Sequence, residues 1–435
     1  MTHDETLSRG LTPENWTPRA IFTIVIMGLS AGLQLSDQGI QSLSLSAIQS
    51  TFKVGDAALG AIQGLAGFFF ASLLAIPLSR LVDKFSRKRI LISLMFASTS
   101  MMVLSALAPN FILFFLGRSS AGILEFAMVP LVYSMIPDLA PNRDRVLANL
   151  GFAAIMAAGA SAGYYFGGAI IETAEVMLPF SIDPWRKGFL LLSIFSLPLL
   201  VLGMLTLDPP RYPGLVDQLS KNSISHFLRQ RWKLMSLFMG AAGCLLVAVQ
   251  ALNQLIVPAL ERRFEADITS IGQAMGIILL LVSAGSLPAA GVLDRMFERF
   301  LHQGSRPVII AFGAITAIPV SIALNSTANV DHAFIIIGAF LFLTATANAL
   351  VPTMLQDIVP AALRARSFAI WSFLVSIFSA LGPLLSGIFS ELLFQNNLLS
   401  AITVITIPAL GLSTFFAFKL FFLLKSGYAV RDSNC

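Results

Sequence analysis

Long apolar runs separated by short polar stretches rich in Arg, Lys, Asp and Pro set the pattern of this chain. Runs of spanning length recur near residues 20–45, 56–79, 90–108, 111–136, 146–171 and 188–206. A second set lies near 234–260, 269–293, 307–324, 333–356, 367–391 and 398–424. A helix crossing a bilayer needs about 20 mainly apolar residues, and lipid-facing backbone must be a helix or a closed barrel. Barrel strands alternate apolar and polar positions over about 10 residues; these runs are longer and do not alternate. The pattern predicts an all-α membrane protein with twelve transmembrane helices.

Composition agrees and excludes a soluble domain. The 435 residues are 56% hydrophobic and 12% charged, with a mean hydropathy of +0.81, against about 25% charged residues in soluble domains. Met1 to Pro18 is polar and holds no cleavable signal pattern, so the first apolar block is expected to stay as a helix. Cys244 and Cys435 imply neither a disulfide framework nor a metal cluster. No cofactor or metal is expected. The net charge of +5 does not point to nucleic acid, because the positive residues are distributed as topology signals.

With the N-terminus inside, all Lys and Arg residues except Lys53, Arg118, Arg186, Lys187, Arg262 and Arg263 fall in cytoplasmic segments. The positive-inside rule therefore places both termini in the cytoplasm. The longest polar stretch, Asp208 to Lys233, holds Pro209, Pro210, Pro213 and Gly214 followed by basic residues. It divides the chain into a bundle at 1–207, a cytoplasmic linker at 208–233 and a second bundle at 234–435. A short amphipathic helix is expected near Ile224 to Leu234.

The two halves repeat each other. An offset of 219 carries Met135 onto Met354, Asp138 onto Asp357, Pro141 onto Pro360, Arg145 onto Arg364, Gly163 onto Gly382 and Gly168 onto Gly387. Earlier, an offset of 211 carries Pro77 onto Pro288 and Asp83 onto Asp294. Six helices separate the copies, so the halves share one orientation. Such parallel halves resemble the major facilitator superfamily, whose substrate site lies near the midplane between them.

The second-to-third block loop, Ser79 to Arg89, resembles that superfamily's signature loop, Gly-x-Leu-x-Asp-Arg-x-Gly-Arg-Arg, with Ser79 and Ser86 in place of glycine. Gly291 to Arg295 is a weaker second copy. The resemblance implies a cytoplasmic gate of Asp83, Arg87 and Arg89, with Asp138 and Arg145 clustering on the next loop and Asp294, Asp357 and Arg364 as their second-half counterparts. The plainer reading is that these cations only set topology.

Asp37, Arg118 and Glu125 fall inside apolar blocks. Asp or Arg at a helix centre costs roughly 2.5–3.5 kcal/mol on insertion scales, so such residues face the bundle interior and find partners. Asp37 lies about 12 Å and Arg118 about 10 Å from the outer ends of their blocks at the helical rise, so the two can pair. Glu125, seven residues beyond Arg118, sits two turns away on nearly the same face. The first block adds a polar stripe, Ser30, Gln34, Asp37, Gln41 and Ser44, which lines a cavity or a helix contact. A carboxylate competing for one Arg can couple proton binding to release of that Arg toward an anionic head group. The second half has Ile337 and Thr344 where the first has Arg118 and Glu125. Its candidates are Gln250, Asn253, Gln254, Thr344, Asn348 and Trp371, which with Gln34, Gln38, Gln41 and Tyr164 make a cavity charged on one side and apolar or amide-lined on the other.

Gly117-Arg118, Glu125, Pro130, Ile136-Pro137-Asp138, Arg143 and Arg145 through Ala148 resemble the spinster-like lipid transporters, together with Asp37, Gly163-Tyr164 and Trp185-Arg186. The match covers roughly residues 30–190, with Gln38 after Asp37 and with Leu124 and Phe126 around Glu125 as departures. This resemblance implies proton-linked carriage of a lysophospholipid-like or sphingosine-phosphate-like molecule by alternating access. Gly159, Gly163, Gly167 and Gly168, with Gly382-Pro383, keep open a multidrug or organic-anion transporter; close helix packing through small residues is their simpler explanation. No nucleophile–base pair or metal-spaced cluster marks an enzyme. The expected partners are a small amphiphilic substrate, protons and membrane lipids. The expected setting is a bacterial inner membrane, and the expected state a monomer.

Overall fold

The apolar blocks fold as helices because each satisfies its backbone internally over the span it must cross. A computed structural model describes residues 15–69, 86–208, 223–359 and 364–426, and among these residues there is no strand. The first half holds α1 (Pro18–Leu43), continued by Leu45–Phe52, and α2 (Asp56–Ala61), which runs into the π-helical turns of Ile62–Phe69. It goes on with α3 (Arg87–Ala106), α4 (Phe111–Leu139), α5 (Arg145–Tyr165, continued by Gly167–Met177) and α6 (Pro184–Met204). A short helix, Ser223–Gln230, occupies the linker. The second half holds α7 (Trp232–Phe264), α8 (Ile268–Leu301), α9 (Ser305–Ser326) and α10 (Val330–Asn348, continued by Val351–Ile358). It closes with α11 (Arg364–Leu393) and α12 (Leu398–Lys425).

Among the described residues, 11 helices are long and apolar enough to cross a membrane. With α2 they make the twelve that the apolar pattern predicts; block 56–79 lies outside the described residues from position 70. Starts are set by local chemistry. Thr17 caps α1 by accepting from the Ala20 amide, with Pro18 next in the chain, and Asn110, Asn329 and Asn397 cap α4, α10 and α12. These side chains take up amides that the first turn leaves without partners. Helix α8 outruns its apolar block, ending at Leu301 rather than near 293, because its hydrogen-bond ladder continues through Asp294, Arg295, Glu298 and Arg299.

The chain divides into two compact units. One gathers Met1–Val54, Phe69–Pro213 and Ile268–Ile277; the other gathers Gly55–Phe68, Gly214–Asp267 and Ile278–Cys435. Each half therefore contributes one short segment, the start of α2 or of α8, to the unit formed mainly by the other half. In the first unit α1 packs on α5 and α6, and α3 on α4 and α6. In the second, α7 packs on α11 and α12, and α9 on α10 and α12. Those partnerships are the same after a shift of six helices, so the repeat read in the sequence is a repeat of packing.

The first unit closes around Met27, Met128, Val132, Met135, Ile136 and Phe152. In the second, Phe238, Leu245, Leu252, Ile310, Phe340 and Leu410 are fully buried. Outside, Phe96, Leu104, Ile112, Leu147, Leu281, Phe312, Ile335 and Phe422 are exposed, as suits surfaces solvated by lipid tails rather than water.

Backbone contact fixes α1 against α5. A Cβ on Gly163 would lie 2.3 Å from Ser36 Cα and 2.5 Å from its carbonyl oxygen, whereas Gly151, on the same helix, has open space around it. Two backbones cannot give way as a side chain would, so Gly163→Ala is expected to destabilise by about 1–3 kcal/mol through overpacking. Gly151→Ala should be silent. Unfolding of the purified full chain separates the two, and equal stability of both variants would refute the close-contact reading.

Candidate functional site

The polar stripe of α1 is wholly internal: Ser30, Gln34, Asp37, Gln41 and Ser44 are all buried. The clamp between α1 and α5 turns it. Ser36 Oγ donates to the Gly159 carbonyl at 2.6 Å, and Tyr164 Oη donates to Ser42 Oγ at 3.0 Å. The stripe then meets α3 and α4. Gln34 Nε2 donates to Ser98 Oγ at 3.0 Å, and Arg118 Nη1 donates to Asp37 Oδ2 at 2.5 Å. A cavity of about 20 Å³, lined in part by Ser30, Gln34, Ser98, Thr99 and Ser196, lies beside Gln34; it has room for about one water.

Among the described residues the Asp37–Arg118 pair is the most deeply buried charge in this unit, at 0% and 5% side-chain exposure. The Arg118 guanidinium also lies over the Phe189 ring of α6, 5.3 Å from its centroid. Asp37 Oδ1 and Arg118 Nε have no partner among the described residues. A buried ion pair is offset fully only when its remaining lone pairs and protons are also bonded, so this one is incomplete. Glu125 lies on helical α4 backbone, and its side chain lies outside the described residues.

The remaining expected cavity residues sit within helix packing. Gln38 is half-buried and Tyr164 buried in the first unit. In the second, Gln254 Nε2 donates to Gln250 Oε1 at 3.3 Å, and Gln63 of α2 donates to the Gln254 carbonyl at 3.1 Å. Asn253 and Asn348 are half-buried. Thr344 is buried with its hydroxyl turned to the Phe340 carbonyl at 2.8 Å. Trp371 is buried against Phe238, ring centroids 5.1 Å apart.

Two of the expected gate charges, Asp138 and Asp357, pair with an Arg from another helix. Arg87 donates to Asp138 Oδ2 at 2.5 Å and to the Ser134 carbonyl at 2.7 Å. Arg145, expected to cluster with Asp138, instead donates to the Pro137 carbonyl at 3.0 Å, because it opens α5 and reaches the end of α4 at its backbone. Arg89 is exposed; Asp83 and the Arg364 side chain lie outside the described residues. In the second unit Arg306 binds Asp294 through Nε and Nη2, at 3.2 and 3.1 Å, and Asp357 through Nη1. Arg306 was not singled out in the sequence, although the offset of 219 carries Arg87 onto Arg306 as it carries Asp138 onto Asp357. The ion pair itself is duplicated.

A second missed group lies in the second unit. Asp56, at the start of α2, is fully buried; its two oxygens take Arg262 Nη2 and Nη1 at 2.8 and 3.0 Å. Ser390 Oγ of α11 donates to Asp56 Oδ2 at 2.6 Å, and the Ala57 amide donates to Glu391 Oε2 at 3.1 Å.

The sequence pattern described as Major Facilitator Superfamily matches residues 27–257 and 239–432. No curated protein matches the chain. Among solved structures, a bacterial homologue of the human lysosomal transporter Spinster, in an inward-facing and unoccupied conformation, is similar with a TM-score of 0.77 at 20% identity. That likeness covers 96% of this chain and 99% of the other. A nucleoside transporter is similar with a TM-score of 0.69 at 16% identity, over 94% and 100% of the two chains. A D-xylose–proton symporter follows with a TM-score of 0.66 at 16% identity, over 91% and 98%. Identities this low speak for the fold.

Proposed function

The chain belongs to the major facilitator superfamily, and on that footing we propose that it is a proton-linked transporter of an amphiphilic, lysophospholipid-like or sphingosine-phosphate-like molecule, working by alternating access. It is an integral membrane transporter; the substrate, the coupling and the orientation with both termini cytoplasmic in a bacterial inner membrane are the proposed part. The protein acts as a monomer in this reading.

The observation that carries the proposal is the buried, incompletely bonded Asp37–Arg118 pair. Arg presents five N–H donors in a rigid fork suited to phosphate, and Asp37 takes one of them. Protonation of the carboxylate removes the charge that holds the guanidinium, which then turns its fork to an anionic head group. Glu125, two turns along the same face of α4, is the second carboxylate able to compete for Arg118. The resemblance of residues 30–190 to the spinster-like lipid transporters is what suggests a lipid-like cargo. The competing organic-anion reading rests on glycines that are taken up in helix contacts, Gly163 against Ser36 and Gly382 against Val247.

The test is the full chain reconstituted into vesicles and offered labelled lysophospholipid or a labelled organic anion, with and without a pH gradient. Lysophospholipid flux is expected to saturate and to rise with the gradient. Glu125→Gln is expected to remove the response to the gradient or to stop transport. Carriage of the organic anion but not the lysolipid would overturn the substrate class; an intact gradient response in Glu125→Gln would eliminate Glu125 as proton carrier.

A further inference from the structure

We propose that the groove between the start of α7 and the end of α12 is a binding site for the headgroup of an anionic phospholipid. The groove measures about 500 Å³ and is lined by Trp232, Lys233, Ser236, Leu237, Lys419, Phe422, Leu423 and Ser426. Two cations and no carboxylate stand among those residues, so the charge is complementary to a phosphate. Neither lysine has an acidic partner among the described residues. Lys233 Nζ lies 5.8 Å from the Trp232 ring centroid and Lys419 Nζ 5.7 Å from that of Phe415.

The position in the fold names the ligand as a lipid rather than a free anion. Trp232 and Phe422 are 59% and 62% exposed, and Trp at the first position of a spanning helix marks the level of the headgroups. Above the apolar rings, lysines extend their stems along lipid and hold their ammonium groups at the boundary. The groove also opens at the N-terminal end of α7, where no side chain caps the helix and the helix dipole is positive. Lys425, at the last turn of α12, lies over Phe421 and adds a third cation beside the site. Basic recesses between spanning helices on the cytoplasmic side hold anionic lipids by this chemistry. The site belongs to the second unit alone. It depends neither on the transported molecule nor on coupling to protons.

The experiment is native mass spectrometry of the purified full chain, counting retained phosphatidylglycerol against phosphatidylcholine. Wild type is expected to retain phosphatidylglycerol in preference, and excess inorganic phosphate not to displace it. Lys233→Ala/Lys419→Ala is expected to lower that retention about thirtyfold, in line with the attraction of two basic groups to an anionic surface, with phosphatidylcholine unchanged. Lys233→Arg/Lys419→Arg should restore it. Ser236→Trp, which fills the groove without touching charge, should lower it as well. Arg295→Ala/Arg299→Ala, at the separate basic opening lined by Arg295, Glu298, Arg299 and His302, should leave it unchanged. Undiminished phosphatidylglycerol in both the alanine pair and Ser236→Trp would overturn the site. Equal loss in the Arg295/Arg299 variant would reduce it to general surface charge, and displacement by inorganic phosphate would assign it to a free anion.

Discussion

Asp37→Asn is expected to destabilise the protein by about 3–5 kcal/mol and to stop transport, because it strands a buried guanidinium that cannot shed its charge. Arg118→Gln should cost less, and its cost should shrink as pH falls. The carboxylate it leaves behind can take up a proton and become neutral, an escape closed to arginine. The two single variants therefore differ in size and in pH dependence, although they remove the same 2.5 Å contact. The double variant Asp37→Asn/Arg118→Gln is expected to recover most of the stability, since two neutral amides replace the pair in nearly the same volume. It should still not transport, since no guanidinium remains to meet an anion. Unfolding of purified protein at two pH values and flux in vesicles measure both quantities. A single variant as stable as wild type would show that the pair is not desolvated, and a transporting double variant would remove Arg118 from the mechanism.

The fold was legible because lipid leaves the backbone few choices, so apolar length located most helices to within a few residues among the described residues; the exceptions are the polar end of α8 and the continuations of α1 to Phe52 and of α5 to Met177. The Asp37–Arg118 contact was legible for a related reason. Spanning helices reduce the search to one coordinate, depth, and the two residues share it. The polar stripe of α1 was readable as inward-facing but not as contact rather than cavity, since Gln34 and Ser98 satisfy each other only once two helices have chosen to meet. Asp138 was assigned the wrong arginine because Arg145 is near in sequence, while Arg87, 51 positions away, is the one in reach. The offset that doubles Asp138 also doubles Arg87, and extending it back from Asp138 to Arg87 would have found both ion pairs. Asp56 escaped notice because an acid at the edge of an apolar block looks like ordinary loop; nothing local reveals that Arg262 and Ser390 enclose it.

Asp56→Asn is expected to loosen the segment 55–68 and to change transport several-fold. The segment belongs by sequence to the leading half yet packs in the unit of the trailing half, and its hold there is chemical. Asp56 begins α2 with no side-chain cap before it. Its carboxylate is fully buried, bonded through both oxygens to Arg262 and through one to Ser390. Around it the backbones meet closely, with a Cβ on Gly387 lying 2.3 Å from the Asp56 carbonyl oxygen. Asn keeps the volume and the Ser390 bond but not the charge. Because Arg262 is 28% exposed, water recovers part of the loss, and about 2 kcal/mol is expected rather than the 3–5 of a fully enclosed pair. The ion pair opposes release of the segment from this unit. A shift of that size makes the released form about thirtyfold more populated. Hydrogen–deuterium exchange of residues 55–68 should rise in Asp56→Asn and Arg262→Gln, while exchange within α3 and α4 stays as in wild type. Arg262→Lys, which keeps a charge but loses the two-pronged geometry, should fall between. Exchange in 55–68 that is the same in all four proteins would mean that backbone packing alone holds the segment and that the ion pair adds nothing to it.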